Sequence, residues 1–310
     1  LLRPLYKRIP SIVIIAITFY LIGRVLFNEW DKISGYDWTP DPLLCVFFVF
    51  LLIIAYIISA CGWTLVLRML GVKIPLKKGL SIYLLSIFGR YIPGGIWSAL
   101  GRMYLCRSEG IPNSRSGVSI LLEQAYPVVS AGIVFVLSLF LWNSTDSLTK
   151  IVPLLILLPL FIVFLHPWPF LKIANPILSV LGKGHINISL SFYNMLKLTG
   201  YYIIYWIVAG GAFYFFIRSF YPMEFYLVPV LIGIYAASFA AGYIAFLAPA
   251  GLGVREGCLI FLLSFFVPTS VAIGVAILSR LWIMGVELLI LIVFMIKSDT
   301  RRMVKTALGW

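Results

Sequence analysis

The chain has 310 residues, 62% of them hydrophobic and only 11% charged, with a mean hydropathy of +1.05. That leaves too little polar surface to cover a water-soluble globule, and the apolar runs lack the two-residue alternation of an outer-membrane barrel. The formal charge of +13 sits mainly at the ends of apolar runs, which fits membrane topology and anionic headgroups rather than nucleic acid.

These exclusions predict an all-α integral membrane protein forming a single transmembrane domain. The first apolar run, 9–27, follows Arg3, Lys7 and Arg8. No small-residue cleavage site follows it, so a retained helix with a cytoplasmic N-terminus is expected, with Arg24 snorkelling at its far end. Glu29, Asp31, Asp37 and Asp41 mark 28–42 as external, and a span over 43–67 returns to Arg68, Lys73, Lys77 and Lys78. The next stretch, 79–106, has basic residues on both sides, the second group being Arg102, Arg107 and Arg115. Two cytoplasmic ends imply a re-entrant hairpin whose limbs, 80–92 and 96–106, are too short to cross, with Pro93-Gly94-Gly95 at its turn. Non-helical backbone at that depth must be buried in protein or line a polar cavity.

Spans over 116–142 and 151–165 flank a short external turn. The connection 166–198, with Lys172, Lys183, His185 and Lys197, reads as cytoplasmic, and Pro167, Pro169 and Pro176 break any long helix there. A span over 199–217 leads outward. The region 225–267 reads as a second hairpin, entered from outside, with Leu247-Ala-Pro-Ala-Gly-Leu-Gly-Val-Arg-Glu256 in its middle and a second limb, 258–267, too short to cross. A last span over 271–296 ends at Lys297, Arg301, Arg302 and Lys305, giving about six crossings and a cytoplasmic C-terminus.

Pro93 and Pro249 lie 156 residues apart (249 − 93), and the same offset carries Leu43, where a span begins, to Thr199, where another begins. The chain therefore divides into an N-terminal helix and external loop (1–42), a first repeat (43–142), a connection (143–198), a second repeat (199–298) and a cytoplasmic tail (299–310). Three crossings separate the two starts, so the second repeat is inverted. Interrupted segments at matching positions of inverted repeats point to the substrate site of a transporter.

Ionisable groups inside spans are functional candidates because placing them there is costly. They are Arg90, Arg102, Glu123, Arg255, Glu256, Arg280 and Glu287. Arg280 and Glu287 share one helix face and should look inward, either serving a substrate or holding helices together. Arg102 belongs to the cavity or to the interface. Arg255-Glu256 opens a helix after Gly251 and Gly253, where free N–H groups suit a phosphate; alternatively the glycines only permit a tight turn and Arg255 neutralises Glu256. Glu123, one turn before Pro127, is expected to pair with Arg90 or Arg280. The 9 Trp and 17 Tyr are assigned mainly to interfacial belts and lipid contact. Cys45, Cys61, Cys106 and Cys258 lack CxxC spacing and His166 and His185 form no ligand pattern, so neither metal nor cofactor is expected. No GxSxG, P-loop, HExxH or closely spaced Asp pair occurs.

On Gly89-Arg-Tyr-Ile-Pro-Gly-Gly95, Glu123-Gln124, Pro249-Ala-Gly-Leu-Gly-Val-Arg-Glu256 and Arg280, the chain resembles, over nearly its whole length, the flippase-like membrane domain of the lysylphosphatidylglycerol synthase family. The resemblance implies translocation of a phosphate-containing lipid across the prokaryotic cytoplasmic membrane, with Arg90, Glu123, Arg255, Glu256 and Arg280 carried over. With Pro93, Gly94, Gly95, Arg102, Pro249, Gly251, Gly253 and Glu287 they make up the candidate substrate site. The implied partners are membrane lipids: an anionic, aminoacylated or glycosylated phospholipid, or a polyprenyl-phosphate-linked lipid. A homodimer is left open. Family members often carry Glu-Arg at the position of Glu123-Gln124, so one headgroup-facing cation is missing here. No synthase domain accompanies the segment, so a stand-alone translocase is expected. The rival expectation is an integral-membrane enzyme or enzyme subunit for lipid headgroup transfer, which predicts covalent change in the lipid. A non-transporting scaffold would leave the intramembrane charges unexplained.

Overall fold

Asp, Pro and Gly at the boundaries of long apolar runs set where the helices begin and end. A computed structural model describes residues 27, 34–36, 38–87, 89, 97–142, 163, 166–168, 170, 172, 190–245, 251 and 253–296. Within these lie helices α1 (Pro42–Met69), α2 (Leu76–Ser86), α3 (Trp97–Ser108), α4 (Asn113–Leu139), α5 (Phe192–Phe220), α6 (Val228–Ile244), α7 (Val254–Leu263) and α8 (Thr269–Ile296). The Asp41 carboxylate accepts from the Leu43 and Leu44 N–H groups to cap α1, with Pro42 at its first position. Gly71, at φ +76°, ends α1, as its N–H and that of Val72 return to the Arg68 and Leu67 carbonyls. Gly110 ends α3 in the same way through the Arg107 and Cys106 carbonyls.

Among the described residues five helical stretches are long and apolar enough to cross a membrane: α1, α4, α5, α8 and Phe225–Ile244, a one-turn 3-10 helix running into α6. The expected spans over 43–67, 116–142, 199–217 and 271–296 coincide with the first four. Those over 9–27 and 151–165 lie outside the described residues, as do the tail from 297 and most of the connection over 166–198. In the region 225–267 the first limb is of crossing length, while the second, α7, is short as expected. With Pro229 at the start of α6 and no breaker until Ala245, nothing interrupts the first limb. By contrast α2, α3 and α7, of 11, 12 and 10 residues, reach only about 15–18 Å at 1.5 Å per residue, against a hydrocarbon core of about 30 Å.

Contacts at the two ends of the bundle fix how these short helices return. At one end, Lys78 near the start of α2 meets Glu109 just beyond α3 at 2.5 Å, and Arg115 of α4 donates to the Gly71 carbonyl at 3.2 Å. The α2–α3 pair thus begins and ends beside the close of α1 and the opening of α4. At the other end, Tyr36 donates to the Phe220 carbonyl at 2.5 Å, Trp38 covers Gly274 of α8, and Trp142 beyond α4 packs on Phe265 and Phe266 beyond α7. There, too, Gly233 of α6 abuts the Ser138 side chain, so the α6–α7 pair begins and ends at this opposite end.

The two sets α1–α4 and α5–α8 run through the same order of elements. α4 and α8 start 156 residues apart (269 − 113), α3 and α7 157 apart (254 − 97). The contacts are paired as well: α2 packs on α3 as α6 on α7, and α3 on α4 as α7 on α8, while α1 and α5 form the central seam. Along that seam Trp206, Phe213, Phe216, Phe48 and Trp63 are fully or almost fully buried. Several hydroxyls inside the bundle are satisfied locally: Ser116, Ser130, Ser138, Ser238 and Thr199 donate to carbonyls three or four residues back.

Candidate functional site

The inner tips of both short-helix pairs meet at one cavity of about 190 Å³ in the middle of the bundle. Ile87 closes α2 and Ser98 opens α3 on one side; Gly242 and Tyr243 near the end of α6, Gly251 and Arg255 at the start of α7 form the other. The walls come from the middles of α1, α4, α5 and α8. An unpaired polar group in such a place is costly, so how far each charged group of the lining is answered within the bundle is informative.

The first charged cluster is closed. Arg102 of α3 pairs with Glu123 of α4 at 2.8 Å and donates from Nε to Ser86 Oγ at 2.9 Å. Its guanidinium lies 4.3 Å above the Tyr83 ring centre and 5.1 Å from that of Trp63. Tyr83 in turn donates to the other Glu123 oxygen at 3.0 Å and bonds Ser59 at 2.7 Å. Arg102 and Glu123 are 4% and 3% exposed, so Arg102 lies in the cavity wall and not at the interface. Glu123 pairs with Arg102, in place of the Arg90 or Arg280 expected; sequence spacing cannot show which facing helix supplies the partner. Pro127 lacks the N–H that would bond the Glu123 carbonyl, yet α4 runs on through it. The Trp206 indole anchors this stretch, donating to the Pro127 carbonyl and Ser130 Oγ at 3.0 Å each.

The second cluster is arranged differently. Gly253, at φ +84°, precedes α7, and its N–H donates to Glu256 Oε2 at 2.7 Å, the Glu half of a capping box. The other Glu256 oxygen receives Arg280 of α8 at 3.4 Å. Glu256 is therefore matched by Arg280 and its own helix start, and not by Arg255. Arg255 instead points at the cavity, 5.1 Å from the Phe239 ring centre and 5.5 Å from that of Tyr235, whose hydroxyl it reaches at 3.4 Å. Gly251, at φ +66°, lets the chain cross α6 closely: a Cβ there would lie 2.7 Å from the Gly242 Cα. One helix further round, Glu287 of α8 is 1% exposed and accepts from the Tyr56 hydroxyl of α1.

Of the sequence candidates, Arg102, Glu123, Gly251, Arg255, Arg280 and Glu287 line the cavity, and Gly253 and Glu256 form the adjoining start of α7. Arg90, Pro93, Gly94, Gly95 and Pro249 lie outside the described residues. Five tyrosines that the sequence reading did not single out, Tyr56, Tyr83, Tyr205, Tyr235 and Tyr243, also line the cavity. Their signal is position. Each falls well inside an apolar run, out of reach of the headgroups, so its hydroxyl must find a partner in the protein.

The arrangement can hold a small polar or charged group out of water while apolar chains remain outside the bundle. Among the described residues no group of three His, Cys, Asp or Glu side chains could hold a metal. A family model described as the lysylphosphatidylglycerol synthase TM region matches residues 9–290. Comparison with curated proteins gives no match.

Proposed function

The chain belongs to the family of the lysylphosphatidylglycerol synthase TM region, and from that premise we propose that it is a lipid translocase carrying a phosphate-containing headgroup through its central cavity. The observation that carries this reading is the cavity itself, where three arginines and two carboxylates converge on about 190 Å³ inside an apolar bundle. Charges so placed are costly unless they serve a function or one another. The headgroup enters between the tips of the two short-helix pairs, and the acyl chains pass between helices without leaving the hydrocarbon.

In this reading the α2–α3 and α6–α7 pairs are re-entrant hairpins of an inverted repeat, reaching the cavity from opposite membrane faces. The near-constant offset between α3 and α7 and between α4 and α8 supports that plan, as does the attachment of the two pairs to opposite ends of the bundle. Both termini are cytoplasmic, in a prokaryotic cytoplasmic membrane. The lipid is an anionic, aminoacylated or glycosylated phospholipid, or a polyprenyl-phosphate-linked one. Cavity arginine faces its phosphate, and the carboxylates an amine or a proton.

The test is reconstitution into vesicles containing a headgroup-labelled anionic phospholipid, with loss of label at the outer leaflet followed by a membrane-impermeant quencher. Transbilayer movement should exceed that of protein-free vesicles and fall to that level in Arg255→Ala and Arg280→Ala. Movement unaffected by either substitution overturns the cavity route. A change in lipid mass after incubation would instead identify an enzyme of headgroup transfer.

A further inference from the structure

The two short-helix pairs carry the same arginine platform, but among the described residues only Arg102 meets a carboxylate from the long helix that follows its pair. Tyr83 and Phe239 occupy equivalent positions, 156 residues apart (239 − 83), and each lies beneath a buried guanidinium from the following short helix, at 4.3 Å for Arg102 and 5.1 Å for Arg255. Arg255 sits one helical turn earlier on its helix than Arg102 does, which preserves the face. Arg102 is completed by Glu123. The position equivalent to Glu123, again 156 residues on (279 − 123), is Ser279. That side chain is buried, and its hydroxyl donates to the Ala276 carbonyl of its own helix.

Arg255 is therefore 6% exposed, lines the cavity, and has no carboxylate within 4.0 Å among the described residues. Among the described residues its side-chain hydrogen bond is a single long one, to Tyr235 at 3.4 Å, although a guanidinium carries five N–H donors. Its neighbour Glu256 is taken by Arg280 and the Gly253 N–H. Arg255, Glu256 and Arg280 together carry one net positive charge, at the start of a ten-residue helix whose first N–H groups and dipole favour an anion.

Building on the translocase reading, we propose that Arg255 is the anion-binding residue of the cavity, and that a phosphodiester oxygen pair of the substrate takes the place Glu123 occupies on Arg102. Arg102 then belongs to the framework: its charge is answered within the protein, and it contributes the platform geometry without holding the headgroup. A guanidinium suits this role because its planar fork meets two phosphate oxygens at once.

The experiment uses the full chain in a phosphate-free maltoside detergent, titrated separately with inorganic phosphate and with short-chain phosphatidylglycerol, and read by thermal unfolding. Both ligands should raise the melting temperature saturably, the lipid at the lower concentration. Arg255→Gln should weaken both responses by about tenfold or more, the loss of a charge-assisted contact. Ser279→Glu should do likewise, because it supplies the missing internal carboxylate, and it keeps the test decisive if Arg255→Gln fails to fold. A response undiminished in both variants, or none in the parent protein, overturns the proposal. A response to inorganic phosphate alone overturns the lipid as the source of the anion. Anion binding at Arg255 without lipid movement in vesicles would leave this site standing and remove the translocase reading; movement without anion binding would do the reverse.

Discussion

At the scale of single residues, the cavity shows why buried charge is a matter of completeness. Arg102 has a carboxylate, a serine hydroxyl and two ring faces, so its desolvation is offset on every side. Removing one partner leaves the other charge buried and uncompensated, typically at a cost of about 3–5 kcal/mol. Glu123→Ala should therefore lower thermal stability sharply, while Glu123→Ala combined with Arg102→Met should recover part of the loss, since the neutral pair leaves no orphan charge. Thermal unfolding of the four members of this cycle in one detergent measures the coupling; additive losses would show that the pair is not the stabilising unit. All six of the carboxylates and arginines that the structure describes around the cavity were visible in the sequence as charges in apolar runs. Their pairing was not, because Glu123 and Arg102 are 21 residues apart on separate helices, and only packing brings them together. The cavity tyrosines were missed for a related reason: composition cannot separate a tyrosine at the membrane surface from one whose hydroxyl bonds Glu123 or Glu287.

At the scale of elements, Gly251 acts through backbone geometry. Gly251 combines a left-handed φ of +66° with an approach to α6 so close that a Cβ would meet the Gly242 backbone at 2.7 Å. Gly257, one and a half turns on in α7, is exposed and has nothing within 4 Å of a Cβ. Gly251→Ala should therefore destabilise the α6–α7 pair by more than the roughly 1–2 kcal/mol of left-handed strain alone, while Gly257→Ala should be neutral or stabilising by up to about 1 kcal/mol. Proteolysis and thermal unfolding of the two variants distinguish them, and equal behaviour would mean that the close crossing does not set the position of α7. The Pro-x-Gly-x-Gly segment was legible as a break in a hydrophobic run. What it does was not, since positive φ and a crossing partner 9 residues upstream (251 − 242) are properties of the folded backbone.

At the scale of the whole molecule, the proposed repeat has its charges redistributed: the first unit holds Arg on the short helix and Glu on the long one, the second Glu on the short and Arg on the long. In an inverted repeat, residues at the two ends of each short-helix pair must share one side of the membrane, and the two pairs must open to opposite sides. Lys73 and Ser108 flank the α2–α3 pair, Glu224 and Pro268 the α6–α7 pair, and all four are exposed. In a background with Cys45, Cys61, Cys106 and Cys258 replaced by serine or alanine, single cysteines at these four positions can be labelled in right-side-out vesicles by a membrane-impermeant maleimide. Cysteines at 224 and 268 should react from outside, and those at 73 and 108 only after permeabilisation, as basic flanks are retained inside. The discriminating case is the second pair, whose first limb is long enough to cross. Should 224 and 268 label from opposite sides, α6 and α7 form a crossing, the repeat is not inverted, and the two tips no longer reach the cavity from opposite faces. Labelling of both from outside requires the chain to turn back within the membrane between Ala245 and Val254, beside Arg255.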